Sequence, residues 1–317
     1  MKKFLLLCMV LAVLSFNACQ KKTAETGPAA PKAPLRVGMM FESEQTLPFL
    51  VARDRGYFEQ EGVNLELVTF SNPQDRDAAM QSGQLDGETN NILTTAHLIA
   101  AGFDYKITGM TYGRFVILGS PKTGITTLSD LRGGRIGIHP NSIPQYIVDT
   151  ELEGAGVSSD EYEIVTVSNM PMRIEMLLEG VIDATCLGEP LSTMTVAQGA
   201  VVLATTNVAE MDVQFILFPK KVIDARLDEI KAFYRAYSRA MRDINADQDS
   251  FRGVMSEQFK IPAEAMDVYQ FIEFPELSMP NPAVLHNFLG WMKAKGLLEV
   301  DLSPADMVDS RALSEWL

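Results

Sequence analysis

The sequence predicts an α/β fold with mainly parallel sheets, on three observations. Short apolar runs alternate with helical patterns from Leu35 onward. The alternation runs through two successive sets of strands and helices. Several strand ends lead within a few residues to a proline in the first turn of the next helix, at Pro48, Pro144, Pro171 and Pro190. Proline suits a helix start because the N–H it lacks would be unsatisfied there. The other free amides of that turn point back over the strand end, where open parallel sheets bind ligands.

The elements follow in order. In the first set, LRVGMM (35–40), NLELVTF (64–70), LDGETN (85–90) and YKITGMT (105–111) read as strands, with helices over 48–62, 75–83 and 93–102. In the second, GRIGIHP (134–140), EIVTVSN (163–169), DATCLGEP (183–190) and AVVLATT (200–206) read as strands, with helices near 143–153, 171–179 and 191–198. Beyond VQFILFP (213–219) the pattern becomes almost wholly helical. Its longest run, 224–244, sets Leu227, Ile230, Phe233, Tyr234, Tyr237, Met241 and Ile244 along one face, a stripe suited to core packing.

Ahead of this part, Lys2 and Lys3 precede an apolar run from Phe4 to Phe16, the pattern of an export signal. Thirteen residues at a helical rise of about 1.5 Å cover roughly 20 Å, short of the ~30 Å hydrocarbon core, so the run reads as a cleaved leader over 1–18 and not as a membrane span. Ala18 before Cys19 resembles a bacterial lipobox, with Phe16 and Asn17 departing from its usual residues. The expectation is a lipid on Cys19 that holds the chain to a membrane. Residues 19–34 are rich in Ala, Pro, Lys and Thr and read as a flexible tether.

Removing residues 1–18 from the 317 leaves 299, enough for a large core in one or two lobes. The whole chain carries 27 basic against 41 acidic residues, which argues against nucleic acid as a partner because phosphate binding needs a basic stripe. Of three cysteines, only Cys186 lies in the folded part, so no disulfide framework or cysteine zinc cluster is expected. His97, His139 and His286 lack metal-ligand spacing. No Gly-rich nucleotide loop or ordered nucleophile constellation is present. No cofactor and no metal are expected.

Three stretches resemble the substrate-binding proteins of ABC importers, in the branch that includes the sulfonate-, nitrate- and taurine-binding proteins and the Thi5-like pyrimidine-binding proteins. They are LPFLVARDRGYFEQEGVNLELV, ITTLSDLRGGRIGIHPNSIPQYIVDTELEGAGV and MRIEMLLEGVIDATCLGEPLSTMTVAQGAVVLATT. The resemblance implies a two-lobed type II periplasmic-binding-protein fold with a ligand cleft between lobes. Lobe one would be 35–115 with 206–317, and lobe two 116–205. It also implies a monomeric, exported, non-enzymatic lipoprotein, facing the periplasm or extracellular side, that closes on a small solute and is recognised by a permease and its ATPase. Two alternatives are a Thi5-type pyrimidine-synthesising enzyme and a surface lipoprotein without a transport role.

The expected solute contacts sit where strand ends meet the family's loops. They are Phe41, Glu42, Ser43 and Thr46 after the first strand, Asn90 and Asn91 after the third, and Tyr112 and Arg114 near the first crossing. Lobe two would supply Asn141, Ser142, Tyr146, Met170, Arg173 and Glu189. Asn90, Asn91 and Ser142 also suit turn or capping roles, Arg114 and Arg173 also read as surface partners of a glutamate, Arg173 the more so within an amphipathic helix, and Glu42 and Glu189 also suit positions facing water. Helix N-termini favour an anion by up to ~1 kcal/mol each. The carboxylates of Glu42 and Glu189, with Phe41, Tyr112 and Tyr146, instead favour an amino-bearing heterocycle, and the expectation leans that way.

Overall fold

The structure is a computed structural model and describes residues 33–40, 44–207 and 213–316. Cys19, Phe41, Glu42 and Ser43 lie outside the described residues. The chain divides into two units, Met1–Ala33 and Pro34–Leu317. The second unit carries the fold.

Its first part runs β1 (Leu35–Met40), α1 (Leu47–Asp54), α2 (Tyr57–Gln60), β2 (Leu65–Phe70), α3 (Pro73–Gln81), β3 (Gly87–Asn91), α4 (Ile92–Ala100) and β4 (Tyr105–Met110). Then come β5 (Phe115–Gly119), β6 (Arg135–Ile138), α5 (Ile143–Gly154), β7 (Glu163–Thr166), α6 (Met170–Leu178), β8 (Ala184–Gly188), α7 (Leu191–Val196) and β9 (Val201–Thr205). The chain ends with β10 (Gln214–Pro219), α8 (Lys220–Ala246), α9 (Arg252–Phe259), α10 (Ala263–Val268), α11 (Pro282–Ala294) and α12 (Pro304–Met307).

Two differences from the sequence reading have clear causes. The helix expected over 48–62 is broken at Gly56, whose left-handed backbone (φ 67°) ends α1 and restarts the chain as α2. The C-terminal part is not wholly helical: the stretch between α10 and α11, which carries Pro275 and Pro280, has no helix or strand. The apolar stripe of α8 is buried as expected at Ile230, Phe233, Tyr234, Tyr237, Met241 and Ile244, and Leu227 packs partly buried beside them. A helical segment begins at Lys220, with Pro219 in the N-cap position, and is kinked from the long run at Arg226 (φ -131°, ψ 27°).

The strands form two five-stranded sheets of matching order, β2-β1-β3-β10-β4 and β7-β6-β8-β5-β9. In each, the first three strands are parallel and the fourth runs against its neighbours. The chain passes between the sheets twice, from the end of β4 to β5 and from β9 to β10. Both passages leave from the edge where the parallel strands end. The two C-terminal strand edges are therefore turned toward one another, and α4, α5, α6 and α7 all begin there.

The match extends to side chains. Arg36 donates its backbone N–H to Asp86 Oδ2 (2.8 Å), and its guanidinium reaches Gly83 O (3.2 Å). Arg135 does the same with Asp183 Oδ2 (2.7 Å) and Gly180 O (3.2 Å). Each arginine is followed two residues later by a glycine under close cover. A Cβ on Gly38 would collide with Leu85, and one on Gly137 would collide with Ile182. Gly137→Ala should therefore destabilise the protein by about 1–3 kcal/mol in urea denaturation. Gly253→Ala, in helix α9 with no atom within 4 Å of the new Cβ, should be neutral or stabilise by ~0.5–1 kcal/mol.

Helix α11 ties the two sheets' helices together. On the side of the second sheet, the Tyr146 ring of α5 packs edge-on against Phe288 and Trp291. Asp149 there accepts from Trp291 Nε1 (3.0 Å) and from Tyr162 (2.7 Å), and pairs with Lys295 (2.8 Å). On the side of the first sheet, His97 of α4 shares a hydrogen bond with Leu297 O (2.8 Å) just past α11.

Candidate functional site

Along the facing strand edges, helices α4, α5 and α6 are each capped by a side chain at the last turn before the helix. Asn91 accepts from Thr94 N (3.0 Å) for α4, Ser142 from Gln145 N (3.4 Å) for α5, and Asn169 from Met172 N (2.9 Å) for α6. Asn141, exposed beside Ser142, holds a left-handed backbone (φ 55°), and its N–H donates to Gln145 Oε1 (2.7 Å). Asn91 and Ser142 thus serve as caps. Asn169 does the same work, and its place after a strand and before Met-Pro is the signal that could have found it.

Four of the expected contacts are engaged inside the protein instead. Thr46 is buried at the start of α1. Asn90 donates to Asp77 Oδ1 (3.1 Å) and Glu88 Oε1 (2.7 Å), and its carbonyl accepts from Asn91 N (2.8 Å). Tyr112 is buried and donates its hydroxyl to Glu276 O (3.0 Å). Tyr146 is buried against α11. For the two tyrosines the cause is the long C-terminal part, whose 276–291 region covers rings that the local sequence leaves bare.

The hinge holds an ionic cluster. Arg114, on the first passage between sheets, lies with Nε 3.3 Å from Glu189 Oε1 and Nη2 3.7 Å from Glu44 Oε1. Its backbone N–H donates to Glu44 Oε2 (3.1 Å), and its guanidinium donates to Gln270 O. Tyr269 donates to Glu44 Oε1 (2.6 Å). Glu189 accepts from Thr193 N (3.2 Å) and Oγ1 (2.9 Å), capping α7. Arg114 and Glu189 were each among the expected solute contacts. Glu44 was passed over within FESEQTLP, and Tyr269 lies 225 residues from it, beyond any sequence signal.

Two carboxylates share one guanidinium in a dry site. Burial is the largest influence on Glu44 and pushes its pKa up to about 7, against the opposing pull of Arg114 and the Tyr269 hydrogen bond. Tyr269 is held well above its usual value, by burial first and by Glu44 second. This cluster joins the loop after β1, the first passage, the start of α7 and the chain after α10. It ties the segments on either side of the passage between the sheets to one another.

Arg173 departs from one of the two expectations for it, the surface pairing. It is only 2 % exposed and is not a surface partner of a glutamate. Its stem lies over Gly137, with Cγ 3.5 Å from where a Cβ would stand. Nη2 donates to Met170 Sδ (2.9 Å), whereas Nε and Nη1 have no hydrogen-bond partner. Burial lowers its pKa below the usual guanidinium value.

The matching position in the first sheet shows what is missing. Arg76 lies over Gly38, with Cγ 3.3 Å from the corresponding Cβ position. It is answered by Asp77 Oδ1 (2.7 Å) and by Glu88 Oε2 (3.5 Å). By the same spacing, the residues that follow Arg173 in this pattern are Ile174 and Thr185, and Thr185 donates its hydroxyl to Gly137 O (2.7 Å). The second copy of the motif keeps the arginine and lacks both carboxylates. A buried guanidinium without a counter-charge is unfavourable by several kcal/mol, which an anion would relieve. Met170, half-buried on the first turn of α6, covers it with a flexible side chain.

The remaining chemistry is sparse. Cys186 is fully buried, and burial pushes its thiol far above the usual range, so it is an inert core residue. Among the described residues no group of three His, Cys, Asp or Glu could hold a metal ion. Among them, too, no helix is long and apolar enough to cross a membrane.

Known proteins share this architecture. The chain is 27% identical over 230 residues to the 4-amino-5-hydroxymethyl-2-methylpyrimidine phosphate synthase of Schizosaccharomyces pombe, a match that covers 63% of the chain and 62% of the synthase. It is 25% identical over 253 residues to an aliphatic sulfonates-binding protein of Bacillus subtilis, covering 76% of the chain and 74% of that protein. The crystal structure of the periplasmic aliphatic sulphonate binding protein SsuA from Escherichia coli superposes with a TM-score of 0.76 at 17% identity, over 87% of the chain and 97% of that protein. The fold is thus the two-lobed periplasmic-binding-protein fold. Residues 43–250 match the model of one protein family, and the chain belongs to it: the NMT1/THI5-like family.

Proposed function

We propose that the protein is the extracytoplasmic solute-binding component of an ABC importer, and that its solute carries an anionic group held by Arg173. Arg173 carries the reading: it is a buried guanidinium with two idle nitrogens, next to the strand edge that faces the other lobe. The capped N-termini of α4, α5 and α6 around that edge favour the same sign of charge. The B. subtilis relative is described as a sulfonate binder, which supports a sulfonate-like group.

The lean toward an amino-bearing heterocycle rested on five residues. Tyr112 and Tyr146 are turned into packing, and Glu189 is engaged by Arg114 and Thr193. Phe41 and Glu42 lie outside the described residues. The balance of side chains therefore supports an anion. Lobe closure would bring Asn91 of one lobe toward Ser142 and Arg173 of the other, with the Arg114 cluster as the joint. A lipid on Cys19 and a tether to Pro34 would hold this module beside the permease and raise its local concentration there.

A native mass spectrum of freshly purified protein tests the reading. The expected result is a stoichiometric small anion, displaced by a short alkanesulfonate. An empty protein with no thermal shift across a metabolite panel would contradict it. Replacing Cys19 with Ser should release the protein from membranes in detergent-free fractionation, and unchanged attachment would refute the anchor. The synthase relative keeps one other reading open, supported by its 27% identity: turnover of bound pyridoxal phosphate or a pyrimidine by the purified protein would establish it.

A further inference from the structure

A pocket of about 280 Å³ lies beside the passages between the two sheets. Its walls are β5, β9 and α7 of the second sheet, closed on one side by Val268 and Gln270 at the end of α10. None of Asn91, Ser142, Met170 and Arg173 lines it. We propose that this pocket is a separate ligand site for a small neutral molecule with an aliphatic body and one carbonyl or hydroxyl oxygen, and that its occupancy biases closure of the lobes.

The pocket holds two idle donors. Ser192 is 0 % exposed and its Oγ has no hydrogen-bond partner. Arg114 Nε is buried and likewise makes no hydrogen bond, although its charge lies close to Glu189. Buried donors left unmet are unfavourable, and a ligand acceptor oxygen that reaches either one relieves it. The neighbouring carboxylate is held by Thr193, which donates to both Glu189 oxygens, and it answers Arg114 Nε by charge at 3.3 Å and not by a hydrogen bond.

Charge sets the class of ligand. An anion would meet Glu189 and, behind Arg114, Glu44. A cation would meet Arg114 itself. The remaining lining is aliphatic, with Val116 and Val196 inside and Val202 and Val268 at 48% and 54% exposure. Those two valines are among the large apolar side chains most open to water, so an alkyl body has a surface to cover.

The position explains the coupling. Val202 and α7 move with the second sheet. Val268 and Gln270 adjoin Tyr269, whose hydroxyl is fixed to Glu44 of the first lobe. A ligand that touches both sides meets a different pocket in the open and closed states. Linkage then requires that it change solute affinity by the same factor by which solute changes its own.

The experiment uses the intact protein with butyramide, butyrate and butylamine as probes, read by saturation-transfer NMR and by small-angle scattering. Butyramide should bind saturably at one site in the millimolar range and alter the radius of gyration, with the two charged probes at least tenfold weaker. Val202→Trp and Val268→Trp, which fill the pocket from its exposed rim, should each weaken butyramide at least tenfold, and Ser192→Ala about fivefold. No saturable butyramide binding, tighter binding of butyrate that Val202→Trp and Val268→Trp weaken, or butyramide binding unchanged in both tryptophan variants would overturn the site; butyrate binding that the two variants leave unchanged is assigned to Arg173 and does not count as binding here. An unchanged radius of gyration at saturation would overturn the coupling.

Discussion

Arg173→Met should raise the melting temperature of the unliganded protein and at the same time remove solute binding. The two effects have one cause. Arg173 is nearly enclosed, with Nε and Nη1 unmatched. Replacing such a buried charge with an apolar side chain of similar length is neutral or stabilising by about 1–4 kcal/mol. At roughly 2–4 °C per kcal/mol for a chain of this size, a gain of several degrees is expected. The cost falls on the liganded state, where a charge-assisted contact worth about 1.5–3 kcal/mol is lost, or ten- to more than a hundredfold in Kd. Arg76→Met makes the contrast, because it strands Glu88 and should destabilise by about 3–5 kcal/mol. Thermal melts of both variants, with and without a short alkanesulfonate, check the pair. A destabilised Arg173→Met with unchanged binding would show that Arg173 is a structural residue.

The second large effect is on stability against pH. Glu44 and Glu88 are each pushed up to about 7, in both cases chiefly by burial. The unfolded chain releases these protons near 4.5, the ordinary glutamate value, whereas the folded protein keeps them to about 7. Between those limits the native state binds more protons, so stability falls as pH rises through the window and is flat above it. A separation of about two and a half units corresponds to roughly 3 kcal/mol per group. The exposed Asp130 and the partly exposed Asp309 are shifted down, so their contributions are lost in more acid solution. Maximal stability is therefore expected near pH 5. Glu44→Gln and Glu88→Gln should each flatten the decline between pH 5 and 8, and the double variant should nearly abolish it. A wild-type melting temperature that rises steadily from pH 5 to 8 would contradict this.

Much of the fold could be read from local periodicity. The parallel strands appear as apolar runs and the helices as 3.6-residue patterns, because burial on both faces of a sheet and one face of a helix leaves those marks. The leading prolines correctly marked helix starts at Pro48, Pro144, Pro171 and Pro190. Less was visible of the site, for two reasons. Contacts across the hinge join residues far apart, as with Glu44 and Tyr269, and covers such as α11 over Tyr146 come from a distant part of the chain. Arg173 misled for another reason: an arginine in an amphipathic helix resembles a solvent-facing one. The signal that could have placed it is the repeat itself. Arg-Val-Gly with Leu85-Asp86 recurs as Arg-Ile-Gly with Ile182-Asp183, and Arg173 then takes the place of Arg76.

The central claim is that two lobes close on a small anion. Small-angle scattering of the purified protein during titration with ethanesulfonate, and separately with an aminopyrimidine, measures it directly. Saturable shrinkage of the radius of gyration by ethanesulfonate, absent in Arg173→Met and absent with the aminopyrimidine, is the predicted result. Shrinkage by the aminopyrimidine alone, unaffected by Arg173→Met, would contradict it.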